Sequence, residues 1–245
     1  MEIPRHFEFH CPIRLLSGSR ALEHLPVELR ALNASRPLAI AQPQIARRGL
    51  IRTLVDAFKD SGMPLGLHEN APERPDTAWA TRIAGIFAQH RHDALIVLGE
   101  GAFIAAAKAV AAAVATGPEA GGLEALTGDT ALNGPLPPLV VIPTGVDCGA
   151  AASPRAALDG WACSSPALMS ALVVLDPRMI LQGPAEDVVS TARRRAGGVI
   201  AAAPRNPVGE AYARAGLALL DGFGAPAGGN DRQTRWALAN GVLMA

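Results

Sequence analysis

The chain is poor in the residues that build metal centres and disulfide frameworks. Its three cysteines, Cys11, Cys148 and Cys163, are an odd number with no CxxC spacing, which argues against a disulfide scaffold and a structural zinc site. All six histidines (His6, His10, His24, His68, His90 and His92) fall in the first 92 residues, so the remainder of the sequence has no imidazole to offer. An excess of charge of one sign is also lacking: 22 basic residues balance 22 acidic ones, which leaves no electrostatic footprint for nucleic acid. The local triplet Arg193-Arg194-Arg195 reads as a solvated helix face. A long charge-free apolar run is missing as well. The most apolar stretch, Ala94 to Ala115, contains Glu100 and Lys108 and is rich in alanine, a buried strand and helix rather than a membrane span. No apolar signal core follows Met1, so a cytoplasmic protein with no membrane partner is expected. The Gly-x-Ser-x-Gly turn of serine hydrolases does not occur.

What is present is an α/β pattern. With 245 residues and 49% hydrophobic side chains, the chain can bury a substantial core. Short apolar runs at Pro37–Ala41, Leu65–Leu67, Ala94–Leu98, Leu139–Ile142 and Ala171–Leu175 read as strands, several of them buried on both faces. Helical periodicity separates them: Leu50, Leu54, Val55 and Phe58 share one face, and Trp79, Ile83 and Ile86/Phe87 another within Thr77–Gln89. Strands spaced by helices imply a largely parallel sheet with right-handed crossovers.

After Asp176-Pro177 the sequence turns wholly helical: Val188–Ala203, Val208–Leu220 and Gln233–Met244, broken at Pro204–Pro207 and in the Gly/Pro-rich stretch 222–230. The expected division is an α/β nucleotide-binding-type domain over 1–180 and a partial helical region over 181–245. Three helices make a thin domain.

One strand, turn and helix carries chemistry. Asp93–Gly99 leads through Glu100 and Gly101 into a helix over Ala102–Ala115. Such a turn brings backbone N–H groups and the positive helix end to an anion, although Gly-x-Gly alone is a weak signal. Glu100 puts a carboxylate into that place. At about 4 Å its repulsion of a phosphate is about 4 kcal/mol for an effective dielectric of about 20, which is roughly a thousandfold in affinity.

The order of these segments resembles the iron-containing (group III) alcohol dehydrogenase family from about His6 to the end of the chain. Phe9–Gly18 is similar to its opening strand and turn, and Gly99-Glu100-Gly101-Ala102 through Lys108 to its GGGSxxDxAK turn. Val141–Thr144 resembles its IPTT segment, Val174–Pro177 its LDP strand end and Arg205-Asn206-Pro207 its NP turn. The resemblance implies a Rossmann-like, mostly parallel sheet with flanking helices and then an all-helical metal domain, the dehydroquinate synthase-like architecture, here truncated. It also implies NAD(P)-dependent alcohol oxidation or aldehyde reduction through iron or zinc acting as a Lewis acid. Gly99, Glu100, Gly101, Ala102, Thr144, Gly145 and Cys148 are the cofactor-binding positions it marks.

Several positions depart from that pattern. Glu100, Ala102 and Ala105 replace the turn's second glycine, serine and aspartate, and Gln42 stands where the first-strand aspartate is expected. The loop TTAGTGSE reads Thr144-Gly145-Val146-Asp147-Cys148-Gly149-Ala150-Ala151, and Ser153–Ser164 after it is shorter and lacks a lysine. The family's aspartate and first histidine metal ligands fall, by register from Pro184 and Thr191, at Arg194 and Gly198. A guanidinium has no lone pair to give and glycine has no side chain.

Other constellations read as structural. His90, His92 and Asp93 are surface polar residues in preference to a chelate, and Cys148 beside Asp147 is a small buried or half-exposed cysteine in preference to a nucleophile. Trp79, Trp161 and Trp236 are packing residues, with Trp161 the one placed to line a cleft. The expectation is thus a degenerate family member with impaired or absent catalysis, NAD(P) bound weakly, and neither iron nor zinc held. The alternatives are a working NAD(P)-dependent oxidoreductase or a non-catalytic binding or subunit-partner protein, forming a homo- or hetero-oligomer through the incomplete helical region.

Overall fold

The computed structural model describes residues 4, 6–9, 11, 13–117, 123, 126, 128–129, 132, 136–181, 183–184, 186–203, 205–223 and 231–245. His10 and Pro12 of the opening stretch, Pro204, and residues 224–230 of the Gly/Pro-rich break lie outside them.

Six strands form the main sheet: β1 (Arg14–Ser17), β2 (Pro37–Ala41), β3 (Gly66–His68), β4 (Ala94–Gly99), β6 (Leu139–Pro143) and β9 (Leu172–Leu175). Their order is β1-β9-β6-β4-β2-β3, and every neighbouring pair is parallel. β2, β4, β6 and β9 are buried along their whole length. The period of two divides them between two cores: Leu95, Val97, Val141, Val173 and Leu175 face one side, and Ala94, Ile96, Leu98, Val140, Ile142, Leu172 and Val174 the other. The helices on these faces are α1 (Leu25–Ala31), α2 (Pro43–Arg47), α3 (Leu50–Phe58), α4 (Thr77–Gln89) and α5 (Ala102–Thr116). The Asp76 carboxylate caps α4 by accepting the Trp79 N–H at 2.7 Å.

A second sheet was not legible in the pattern. It comprises β5 (Gly128–Asp129), β7 (Arg155–Leu158) and β8 (Trp161–Ser164), in the order β5-β8-β7. α5 packs against both β7 and the main sheet, which is why Ile104, Ala107, Ala109, Val110 and Ala112 are all fully buried. Its alanines suit both helix propensity and close approach.

Beyond the sheet lie α6 (Glu186–Ala201), α7 (Pro207–Phe223) and α8 (Arg232–Met244), packed on one another. α6 ends at Ala201, two residues short of the expected Ala203, as the residues before Pro204 in the sequence are pushed out of helical geometry. α7 starts at Pro207, a proline at the first helical position where its missing N–H costs nothing. The Asn206 carboxamide oxygen accepts the N–H groups of Val208 and Gly209 ahead of it. The Asp231 carboxylate caps α8, which begins at Arg232, one residue early.

Smaller corrections have local causes. The third strand is shifted to Gly66–His68 because it pairs with Leu38–Ile40. The opening strand shrinks to Arg14–Ser17, the length that pairs with β9. In α3 the buried stripe is Leu50, Ile51, Leu54 and Phe58, while Val55 faces out. Asp93 ends before β4 and uses its carboxylate to accept the N–H groups of Ser35 and Arg36, both at 2.8 Å. Among the described residues no helix is long and apolar enough to cross a membrane.

Candidate functional site

β4 and β6 run side by side with Gly99 opposite Pro143, so the turn after one and the loop after the other emerge together at the carboxyl ends of the strands. That is where open α/β sheets place their ligands. The Thr144 N–H donates to the Gly99 carbonyl at 3.1 Å, and the Gly101 N–H to the Asp147 carbonyl at 2.7 Å. The two segments are therefore stitched together by their backbones.

Side chains complete the joint reciprocally. The carboxyl group of Glu100 lies on Gly145, where a Cβ would collide with Oε2. The carboxylate of Asp147 lies on Gly101, where a Cβ would come 2.5 Å from Oδ2. Gly101 has φ +54°, a backbone conformation open to glycine and costly for other residues. Each segment thus supplies a carboxyl group to the glycine of the other. Asp147 and Gly145 escaped notice in the sequence as a joint, because nothing in either segment alone shows that it faces the other.

Glu100 does not swing out to water. It is half-buried; its N–H donates to the Gln42 carboxamide oxygen at 3.3 Å. Burial pushes its carboxyl above the ordinary range, Asp147 pushes it further, and Arg48 partly opposes them. Asp147 sits at the exposed rim. Protein packed around its carboxylate and the charge of Asp187 raise it, while Arg195 lowers it. Exposure screens Asp147, so Glu100 is the more strongly held of the two.

The α5 N-terminus is only partly open. The N–H groups of Phe103 and Ile104 already donate to the Glu100 and Gly101 carbonyls, both at 3.2 Å. Ala102, exposed at the helix start, has no hydroxyl to add. Thr144 is buried, and its Oγ1 has no partner among the described residues. Cys148 is fully buried, its thiol donates to the Ala239 carbonyl at 3.4 Å, and burial holds it far above the ordinary thiol range. It is a packing cysteine. Behind the joint, the fully buried Lys108 ammonium donates to the carbonyls of Ser153 and Ala151.

The marked metal positions do not fit a metal. Arg194 is exposed and donates to the Thr191 hydroxyl at 3.1 Å, and Gly198 offers no donor. Among the described residues no three His, Cys, Asp or Glu side chains come together to hold an ion. The arginine triplet is more than a solvated face: Arg193 pairs with Asp221 at 2.9 Å, and Nη1 of Arg195 lies 3.0 Å from where a Gly149 Cβ would be. Trp161 is buried in β8 and its indole N–H donates to the Leu123 carbonyl at 2.7 Å, a packing role. His92 tilts against Phe87 with ring centroids 5.9 Å apart, and its Nδ1 lies 2.9 Å from the Arg36 carbonyl oxygen, a packing role.

Residues 12–193 match the family model described as iron-containing alcohol dehydrogenase. The choline dehydrogenase of Bacillus subtilis (strain 168) is 22% identical over 182 residues, covering 72% of this chain and 45% of its own. The NAD-dependent methanol dehydrogenase of Bacillus methanolicus is 23% identical, covering 97% of this chain and 64% of its own. The crystal structure of a 1,3-propanediol oxidoreductase superposes with a TM-score of 0.82 at 20% identity, over 98% of this chain and 65% of its own. The chain thus spans about half to two-thirds of the length of these proteins.

Proposed function

The chain belongs to the iron-containing alcohol dehydrogenase family, and from that premise we propose that it is a non-catalytic member, a binding or subunit-partner protein that keeps the sheet and has given up metal-dependent hydride transfer. What supports this reading is the register from Pro184 and Thr191, which assigns the family's ligand positions on α6 to Arg194, a fixed cation, and Gly198. A cation at a cation site costs binding instead of supplying it. The Glu100–Gly145 contact adds to it, since a carboxyl group fills the joint beside the α5 N-terminus.

The test is NADH- and NADPH-dependent reduction of short aldehydes by purified protein supplied with iron(II) or zinc. The reading expects no turnover above the metal-only control. Turnover that requires both the protein and the metal would establish the second reading, a working NAD(P)-dependent oxidoreductase. That second reading draws on the intact backbone of the β4–α5 turn.

A further inference from the structure

The reciprocal seating of Glu100 on Gly145 and Asp147 on Gly101 places two carboxyl groups across one joint. Backbone hydrogen bonds from Gly101 and Thr144 close the same joint. Such an arrangement favours a proton on the half-buried Glu100, since its charge would be both desolvated and repelled by Asp147. We propose that Glu100 is the bolt of a proton-operated latch: protonated, it stays on Gly145 and holds the β4–α5 turn against the loop after β6, and ionised, it leaves and lets the two segments part.

The charged surroundings favour this division of roles. Asp147 and Arg48 act on Glu100 with opposite signs, and Asp187 and Arg195 act likewise on Asp147. The Cys148 thiol stays protonated in its buried place and adds no charge. Arg48 and Arg195 do not take over the joint, because neither forms an ion pair with Glu100 or Asp147 among the described residues. The latch concerns the same site as the proposed loss of catalysis but needs neither metal nor nucleotide.

Amide hydrogen exchange from pH 5 to 8.5, corrected for the intrinsic rate at each pH, reads the joint directly at Gly101 and Thr144. The parent protein is expected to lose at least tenfold protection at both amides as pH rises. Glu100→Gln, neutral throughout, keeps its protection across the range. Asp147→Asn removes the neighbouring like charge, so its loss of protection is smaller than the parent's and its midpoint lies at lower pH. Constant protection in the parent, an unchanged fall in Glu100→Gln, or an unmoved midpoint in Asp147→Asn would each overturn the latch. Metal binding or turnover would overturn the proposed function and leave this result standing.

Discussion

The carboxyl group of Glu100 rests on the backbone of Gly145, in the space that any other residue there would need for its side chain. Gly145 is not in the left-handed region, so alanine suits its backbone and the cost of Gly145→Ala comes from evicting that carboxyl. Overpacking of this kind costs about 1–3 kcal/mol. In a Glu100→Ala background the same change meets no oxygen and its cost should fall, giving a coupling of at least about 0.5 kcal/mol in a double-mutant cycle by urea denaturation. Additive effects would contradict the contact.

On the proposed reading the same carboxyl, once ionised, opposes a nucleotide phosphate at this turn. Removing a charge whose repulsion of a phosphate is about 4 kcal/mol at an effective dielectric of about 20 should make Glu100→Gly bind NAD+ or NADP+ at least about tenfold more tightly than the parent by calorimetric titration at alkaline pH, where the carboxyl is ionised. Equal affinities would show that Glu100 does not face the ligand.

Stability at the joint should fall with pH. A carboxyl whose folded pKa lies above its unfolded value contributes stability that is fully present below the unfolded pKa and is lost as pH rises through the folded one. Glu100 is raised in this way. The melting temperature of Glu100→Gln relative to the parent is therefore expected to climb from pH 5 to pH 8, and a difference that is flat or reversed would contradict it.

At the other side of the sheet, Arg178 donates to the fully buried Asp176 and to Glu23, with Nη2 distances of 2.6 and 2.7 Å. Burial alone would raise the Asp176 carboxyl, but hydrogen bonds from Arg178 and the Leu22 N–H hold it below the ordinary range. Arg178→Met leaves that charge buried without its partner and should cost about 3 kcal/mol by urea denaturation. The contribution of a lowered carboxyl is present above its unfolded pKa and lost as pH falls through the folded one. The penalty should therefore shrink on acidification.

Lys108 lies in the core with no carboxylate paired to it among the described residues, and burial lowers its pKa from 10.5 to about 7. Lys108→Met orphans the Ser153 carbonyl and should cost about 1–3 kcal/mol at high pH. Because the unfolded lysine binds more protons than the folded one between those values, the parent gains stability on the variant as pH rises from 7 to 10. A penalty that falls over this range would refute the assignment.

The sheet was legible because its strands are continuous apolar runs, and β4, β6 and β9 fall on theirs to within a residue at either end. The small sheet was not, since Arg155–Leu158 and Trp161–Ser164 are four-residue strands without clean alternation. In the site, Glu100 stood out by its chemistry alone. Its seat on Gly145, the answering Asp147 and the approach of Arg195 depend on segments far apart in sequence, and no local pattern encodes such a pairing.

Metal content is the most direct measurement. After incubation of the purified protein with iron(II) or zinc and removal of free ions, elemental analysis should find far less than one ion per chain. One tightly held iron or zinc per chain would contradict the reading of Arg194 and Gly198 as a lost metal site.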